Sequence, residues 1–169
     1  MIVDKKNNKT LILGLGNTIL SDDATGIIVA QEVYENLLKA KHCLDVEVAQ
    51  TSYAGWRLID LISGYKKVVI IDAIQGGAGA PGDCYEIEKS KINSLHLQSA
   101  HGMDLNTSLE LAKKSGIEMP QEISVYAVEV KNPFEFGEKI SPEVKSKIPE
   151  IARAIMQKEF LSERRRKKL

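Results

Sequence analysis

A continuous β-branched run, Val68-Val69-Ile70-Ile71, constrains the fold of this chain more than any other sequence feature. The run lacks the apolar–polar alternation of a half-exposed strand, so it predicts a strand that is buried on both faces. Strands of that kind belong to parallel sheets covered by helices. The run stops at Asp72, which predicts a carboxylate at the end of a buried strand, where burial is costly unless the group is paired or liganded.

Helix and strand patterns alternate on both sides of this run. Further strands are predicted over residues 11–13, 44–48, 83–87 and 123–130. Helices are predicted over residues 26–37, 55–62, 105–114 and from 141 to about 160. The alternation predicts an α/β fold: a single domain with a twisted, mostly parallel sheet and helices on both faces. We assign this domain to residues 11–160, between a flexible N-terminus over 1–10 and a basic C-terminal tail over 161–169.

Charge and hydropathy exclude several classes of protein. The 169 residues carry 23 basic and 23 acidic side chains, so bulk electrostatics do not indicate nucleic-acid binding. No segment approaches the roughly 18 apolar residues that span a bilayer, and the N-terminus lacks the apolar stretch of a signal peptide. We expect a cytoplasmic protein with no membrane partner, no nucleic-acid partner and no organic cofactor.

The candidate functional residues follow the first and third predicted strands. The segment from Gly14 to Asp23 comes after the first strand, and Asp72 ends the third. Ligands of parallel sheets bind beyond the carboxyl ends of the strands. If these two strands are neighbours, their loops meet at one crevice.

Each candidate also has a structural interpretation. Asp22 and Asp23 precede a helix, where acidic residues cap the chain and interact favourably with the helix dipole. His101 stands beside Gly102 just before a helix, and such a histidine is more often structural than a ligand. Taken together, however, Asp23, Asp72 and His101 supply the two carboxylates and one imidazole that suit a borderline divalent cation such as nickel or zinc. No spacing rule selects these three residues.

Two other features point to competing functions. Gly14-Leu15-Gly16 after a strand matches the start of a dinucleotide-binding fingerprint, but Ile19 stands where the third glycine belongs. The two glycines have an alternative role, which is to let the backbone turn and pack closely. Cys84 is a possible nucleophile, although a small strand or core residue is the expected role.

Three aromatic side chains have two possible roles. Trp56, Phe134 and Phe136 are expected to pack in the core. The alternative is that their exposed parts dock a large protein partner.

An ordered series of short motifs runs through most of the chain. It opens with Leu13-Gly14-Leu15-Gly16-Asn17 and Leu20-Ser21-Asp22-Asp23-Ala24-Thr25-Gly26. It continues with Tyr53-Ala54-Gly55, Ile71-Asp72-Ala73, Pro81-Gly82, Ser99-Ala100-His101 and Pro133-Phe134-Glu135-Phe136-Gly137. Over about residues 11–157, the series resembles the hydrogenase maturation endopeptidases, which trim the large subunit of nickel–iron hydrogenases.

The resemblance implies a function and a set of site residues. It implies an endopeptidase that removes a C-terminal peptide from the nickel-loaded precursor of a nickel–iron hydrogenase large subunit. The family's metal-contacting positions fall on Asp23, Asp72 and His101, which would be both the catalytic and the metal-binding residues. The nickel would be supplied by the precursor, which is the protein partner. Asp23 is one methylene shorter than the glutamate that is common at its position.

Three alternatives remain open at this point. The same three residues would serve a non-catalytic nickel-binding maturation chaperone. A nucleotide-binding α/β module would use Gly14 and Gly16 instead. A self-contained metallohydrolase would act on small amides. For peptide hydrolysis itself, either the metal polarises the carbonyl or activates water, or Asp23 or Asp72 acts as general base.

Overall fold

The computed structural model of the protein describes residues 5–42, 45–52, 56–77, 79–88 and 105–162. Within these ranges the strands are Thr10–Leu15 (β1), Val46–Thr51 (β2), Lys67–Ile74 (β3), Cys84–Glu86 (β4) and Glu122–Glu129 (β5). The α-helices are Thr25–Lys39 (α1), Trp56–Ile62 (α2), Leu105–Lys114 (α3) and Pro142–Met156 (α4). The 3-10 turns are Lys5–Asn8 and Ser21–Ala24, and a π-helical turn, Gln157–Leu161, extends α4.

The strands form one mostly parallel sheet in the order β2-β1-β3-β5-β4. Only the edge strand β4, among the described strands, runs antiparallel to its neighbour. The predicted α/β fold is therefore confirmed, and β1 and β3 are neighbours as the crevice required. The strand order reverses between β1 and β3, which is where sheets of this type bind their ligands. None of the helices in the described ranges is long and apolar enough to cross a bilayer.

Each face of the sheet has its own apolar core. Leu11, Leu13 and Leu15 of β1 point to the face covered by α2 and α3, and Ile12 points to the face covered by α1 and α4. Every residue of β3 is buried, as the continuous β-branched run predicted. A fully buried leucine or isoleucine stabilises a fold by roughly 1.5–3 kcal/mol, so the two cores fix the sheet between its helix layers.

Two strand boundaries differ from prediction because tertiary pairing extends the strands. β3 does not stop at Asp72 but continues to Ile74, since β5 pairs with it as far as Glu129. β2 extends to Thr51 because it pairs with β1 through Leu15. The helix predicted over 105–114 is confirmed. The irregular loop predicted over 88–102 lies outside the described residues beyond position 88.

The expected core packing is wrong for two of the three aromatic side chains. Phe134 and Phe136 are exposed on the loop between β5 and α4. The Trp56 side chain lies outside the described part of the chain.

The start of α1 packs directly on the carboxyl ends of β1 and β3. A Cβ atom at Gly26 would lie 2.4 Å from the Leu15 carbonyl oxygen and 2.5 Å from that of Ile71. At Gly14 it would lie 2.6 Å from the Cα atom of Ile27. Glycine is therefore required at both positions for the helix to come this close to the sheet.

The carboxylate of Asp22 joins the start of α1 to the loop between β5 and α4. It accepts hydrogen bonds from the backbone N–H groups of Lys131 (3.2 Å), Asn132 (2.9 Å) and Ser141 (2.6 Å) and from the Ser141 hydroxyl. Burial raises the pKa of Asp22, and the hydrogen bonds from Ser141, Asn132 and Lys131 outweigh it, so the pKa lies below its usual value. Asp22 is therefore an ionised structural anchor.

The predicted capping role of the two adjacent aspartates is wrong. Ala24 is the N-cap of α1, and no side chain caps it by a hydrogen bond. The Ser21–Ala24 turn instead directs the Asp22 carboxylate toward Ser141. Both aspartates still lie next to the positive end of the α1 dipole, which is a favourable position for acidic residues.

A buried ion pair closes the amino end of the sheet. The Lys67 ammonium group at the start of β3 lies 3.0 Å from Glu159 Oε2 and donates to the Glu159 carbonyl at 3.1 Å. The Tyr126 hydroxyl donates to Glu159 Oε1 at 2.5 Å, and burial together with this carboxylate raises the pKa of Tyr126. These contacts fix the Gln157–Leu161 turn against β3 and β5.

We predict that Gly26→Ala lowers the free energy of unfolding by at least about 1–3 kcal/mol. The added methyl would meet two carbonyl oxygens of the sheet. Gly116→Ala is the matched control. Its φ of +74° strains an alanine, but nothing lies within 4 Å of the new methyl, so the cost is limited to about 1–2 kcal/mol. Urea unfolding of both variants measures the difference. Equal stability of Gly26→Ala and wild type would contradict the close packing.

We predict that Asp22→Asn lowers the free energy of unfolding by about 1.5–3 kcal/mol at neutral pH, because the amide loses the charge and presents donors to donors. Because the folded-state pKa of Asp22 is lowered, its stabilisation is present above about pH 3.8 and disappears as the pH falls below that value. The difference in the free energy of unfolding between wild type and Asp22→Asn should therefore become smaller as the pH falls below about 3.8. Asp60→Asn, on the exposed face of α2, should change stability by less than about 0.5 kcal/mol.

Candidate functional site

Asp23 lies at the carboxyl end of β1, within the Ser21–Ala24 turn, and is fully buried. Its Oδ2 atom accepts a hydrogen bond from the Asn17 backbone N–H at 2.7 Å. Gly16 makes this turn possible: its φ is +147°, and a Cβ atom there would lie 2.0 Å from the Asp23 carbonyl oxygen. The loop after β1 therefore folds back over the aspartate and holds it at the edge of the sheet.

Asp72 lies near the carboxyl end of β3 and is only 2% exposed. Its Oδ1 atom accepts a hydrogen bond from the backbone N–H of Ala73 at 2.9 Å. Side chains alternate along a strand, so Asp72 points to the same face as Val68 and Ile70, which pack toward α2 and α3. A buried acid on an apolar sheet face is the feature that the sequence indicated.

The fold brings Asp23 and Asp72 to adjoining elements. The Ser21–Ala24 turn contacts β3, and a Cβ atom at Gly26 would lie 3.1 Å from the Cα atom of Asp72. His101 lies outside the described residues. Within the described ranges, which lack His101, no three acidic, histidine or cysteine side chains gather to hold a metal ion. Two of the three predicted site residues thus lie on adjoining elements at the carboxyl edge of the sheet, and His101 stays a prediction.

An open cavity of about 280 Å³ adjoins the loop that holds Asp23. It lies between the segments that follow β1 and β2. Its lining is formed by Gly16, Asn17, Thr18, Ile27, Gln50, Thr51 and Ser52. Amide and hydroxyl groups dominate this lining, and none of its described residues carries a charged side chain. Such a surface suits the backbone of an extended peptide, which needs hydrogen-bond partners of both kinds.

Glu129 is a buried carboxylate at the same edge that the sequence patterns did not single out. It ends β5, accepts a hydrogen bond from the Gly77 backbone N–H at 2.8 Å and one from the Tyr85 hydroxyl at 2.7 Å. Burial and the Glu129 carboxylate raise the pKa of Tyr85. Glu129 thereby fixes the glycine-rich loop that follows β3. The signal was available, because Glu129 is an acidic residue near the carboxyl end of an apolar strand, as Asp72 is.

Cys84 lies in the edge strand β4 and packs at the margin of the core. Burial raises the pKa of its thiol to about 11, so the thiol is protonated at neutral pH. A thiol in that state is a poor nucleophile. The expectation that Cys84 is a strand residue is confirmed.

The glycines after β1 do not form a phosphate cradle. The space above Gly14 is filled by the backbone of Ile27, and the space above Gly16 by that of Asp23. A dinucleotide site would require the phosphates to approach the first turn of α1 closely. Asp22 and Asp23 are buried at that turn and would repel them. The geometric role of the two glycines is therefore the correct one, and the nucleotide-binding alternative loses its support.

Solved structures with the same architecture are hydrogenase maturation proteases. The hydrogenase maturating endopeptidase HybD from Escherichia coli superposes with a TM-score of 0.68 at 23% identity, over 89% of this chain and 94% of that one. The [NiFe] hydrogenase maturation protease HybD from Thermococcus kodakarensis has a TM-score of 0.63 at 23% identity, over 88% and 97% of the two chains. At this identity the likeness establishes the fold.

Sequence comparison establishes the family. The hydrogenase 2 maturation protease of Escherichia coli is 25% identical over 122 residues, which are 71% of this chain and 72% of that protein. The family model described as hydrogenase maturation protease matches residues 27–158, more than half of the chain. The match covers Asp72 and the segment from β2 to α4. The chain belongs to the hydrogenase maturation protease family.

Proposed function

We propose that this peptidase removes a C-terminal peptide from the nickel-loaded precursor of a nickel–iron hydrogenase large subunit. Family membership supports the peptidase activity and the protein substrate. The observation that carries the nickel dependence is the pair of buried carboxylates, Asp23 and Asp72, at the adjoining carboxyl ends of β1 and β3. Carboxylates in such a position favour a cation, since charge neutralisation offsets the cost of burying them.

His101 completes the proposed site as its third nickel-contacting residue. It precedes Leu105, the first residue of α3. Ala112 of α3 packs in the same apolar cluster as Val68 and Ile70, on the sheet face to which Asp72 points. The chain thus reaches the Asp72 side of the sheet shortly after His101. Two carboxylates and an imidazole are ligands that a nickel ion accepts, and three protein ligands leave positions for those of the precursor.

The nickel arrives with the substrate and marks it as ready. In a loaded precursor, Asp23, Asp72 and His101 share the ion with the precursor's own ligands. In an unloaded precursor, the cation that these residues contact would be missing, which disfavours that complex. The peptidase would therefore discriminate by electrostatics between the two forms of one protein.

Hydrolysis needs a polarised carbonyl and an activated water molecule. The nickel ion can supply both when the scissile bond lies beside it. Asp23 or Asp72 can instead accept the proton of the attacking water as general base. We favour the nickel-linked route because Asp23 and Asp72 are both assigned to the ion. Cys84 contributes nothing, since its thiol stays protonated.

We predict that intact-mass spectrometry will detect loss of a C-terminal peptide only from the nickel-loaded precursor. The measurement compares nickel-loaded and nickel-free cognate precursor, each with and without this protein. Cleavage of both forms would contradict the nickel requirement but retain the peptidase. No mass change in either form, with nickel transferred between the proteins, would favour the non-catalytic nickel chaperone.

We predict that Asp23→Asn, Asp72→Asn and His101→Ala each lower the processing rate by at least about a hundredfold. Each substitution removes a charge or a ligand at the proposed nickel contact. The two aspartate substitutions leave the size of the side chain almost unchanged. Asp60→Asn and His42→Ala are the matched controls, and they should process at the wild-type rate. Circular dichroism spectra must stay unchanged in all five variants. Wild-type processing by both Asp72→Asn and His101→Ala would overturn the assignment of the site.

A further inference from the structure

Two neighbouring loops beside Asp23 expose large apolar side chains. Ile19 is 57% exposed on the loop after β1, and Phe134 and Phe136 are 52% and 85% exposed on the loop between β5 and α4. They account for half of the large apolar residues that are exposed in the described part of the chain. Exposed aromatic residues at a functional edge are a common mark of protein–protein contact.

Both loops are held in place by hydrogen bonds between them. Leu20 and Phe136 form an antiparallel bridge. The Gly137 N–H donates to the Ile19 carbonyl at 3.0 Å, and the Ser21 N–H donates to the Glu135 carbonyl at 2.9 Å. The Asp22 carboxylate fixes both ends of the second loop through Lys131, Asn132 and Ser141. A surface that is already ordered loses little conformational entropy when a partner binds.

The two loops are continuous with the catalytic edge. Ile19 lies between Asn17, whose N–H contacts the Asp23 carboxylate, and Asp23 itself. Phe136 pairs with the residue next to Ile19. A protein that brings a peptide bond to Asp23 therefore has these two loops within reach. A flexible peptide tail alone does not need two exposed phenylalanines, whereas the folded body behind the tail offers a broad surface to them.

We infer that Ile19, Phe134 and Phe136 form the docking surface for the folded body of the precursor, outside the segment that is cut. This inference rests on the proposed function and adds a binding contact to it. The complementary surface on the precursor is apolar, because burial of phenylalanine side chains releases water from both partners. The contact makes recognition depend on the folded precursor as well as on the nickel ion.

The test is processing kinetics of Phe136→Ala and of the double variant Phe134→Ala/Phe136→Ala on nickel-loaded precursor. We expect KM to rise about tenfold for the single variant and further for the double variant, with kcat within about twofold of wild type. Leu111→Ala is the matched control, since Leu111 is also 52% exposed but lies on α3. Its KM should equal that of wild type.

The outcomes separate this inference from the proposed function. If wild-type protein leaves the nickel-loaded precursor intact, the proposed function fails before the docking surface is tested. If wild-type protein processes the precursor and both phenylalanine variants keep its KM, the docking surface is wrong. A wild-type dimer that dissociates in Phe136→Ala, seen by sedimentation, would assign the surface to a second copy of this chain and also overturn the inference. A fall in kcat at unchanged KM would assign Phe136 to the chemical step instead.

Discussion

The structure depends on the direct contact between the first turn of α1 and the carboxyl ends of β1 and β3. Gly14 and Gly26 allow this contact, because any larger residue would meet backbone atoms of the opposing element. The contact determines where the chain after β1 can go, and it sends the Ser21–Ala24 turn against β3. A carboxylate in that turn is then buried beside a second one on β3. The positions of Asp23 and Asp72 are thus a result of backbone packing at glycine.

Two adjacent aspartates have separate roles because the turn directs them to different partners. Asp22 receives three backbone N–H groups and a hydroxyl from the loop before α4 and is ionised for a structural reason. Asp23 accepts a hydrogen bond from the Asn17 N–H within its own loop and lies in the turn that contacts β3. Glu129 resembles Asp22, since its carboxylate also accepts a hydrogen bond from the backbone of a loop, at the Gly77 N–H. Asp22 and Glu129 thus order the loops at this edge, whereas Asp23 and Asp72 are the residues of the proposed nickel contact.

Much of the fold could be predicted from local patterns, because β3 is buried on both faces and has no polar position between Lys67 and Asp72. The end of β3 could not, since it depends on pairing with Glu129 of a strand that lies far along the chain. Asp72 was predictable as a buried acid in an apolar strand. The capping prediction for Asp22 was wrong, because its partners, Asn132 and Ser141, are brought near only by the tertiary fold. The exposure of Phe136 was only the alternative to core packing, since an aromatic side chain is usually buried.

The buried contact between Lys67 and Glu159 has a consequence for handling the protein. Lys67 begins β3 and Asp72 lies five positions later, so about 16 Å of strand separates Lys67 from Asp72. The Gln157–Leu161 turn is therefore anchored at the amino end of β3, away from the edge of the sheet where Asp72 lies. A linker attached after Leu161 would hold the protein on a sensor chip or resin by its far end. The carboxyl edge of the sheet and the exposed phenylalanines would then face the solution. A large protein in the mobile phase could reach them.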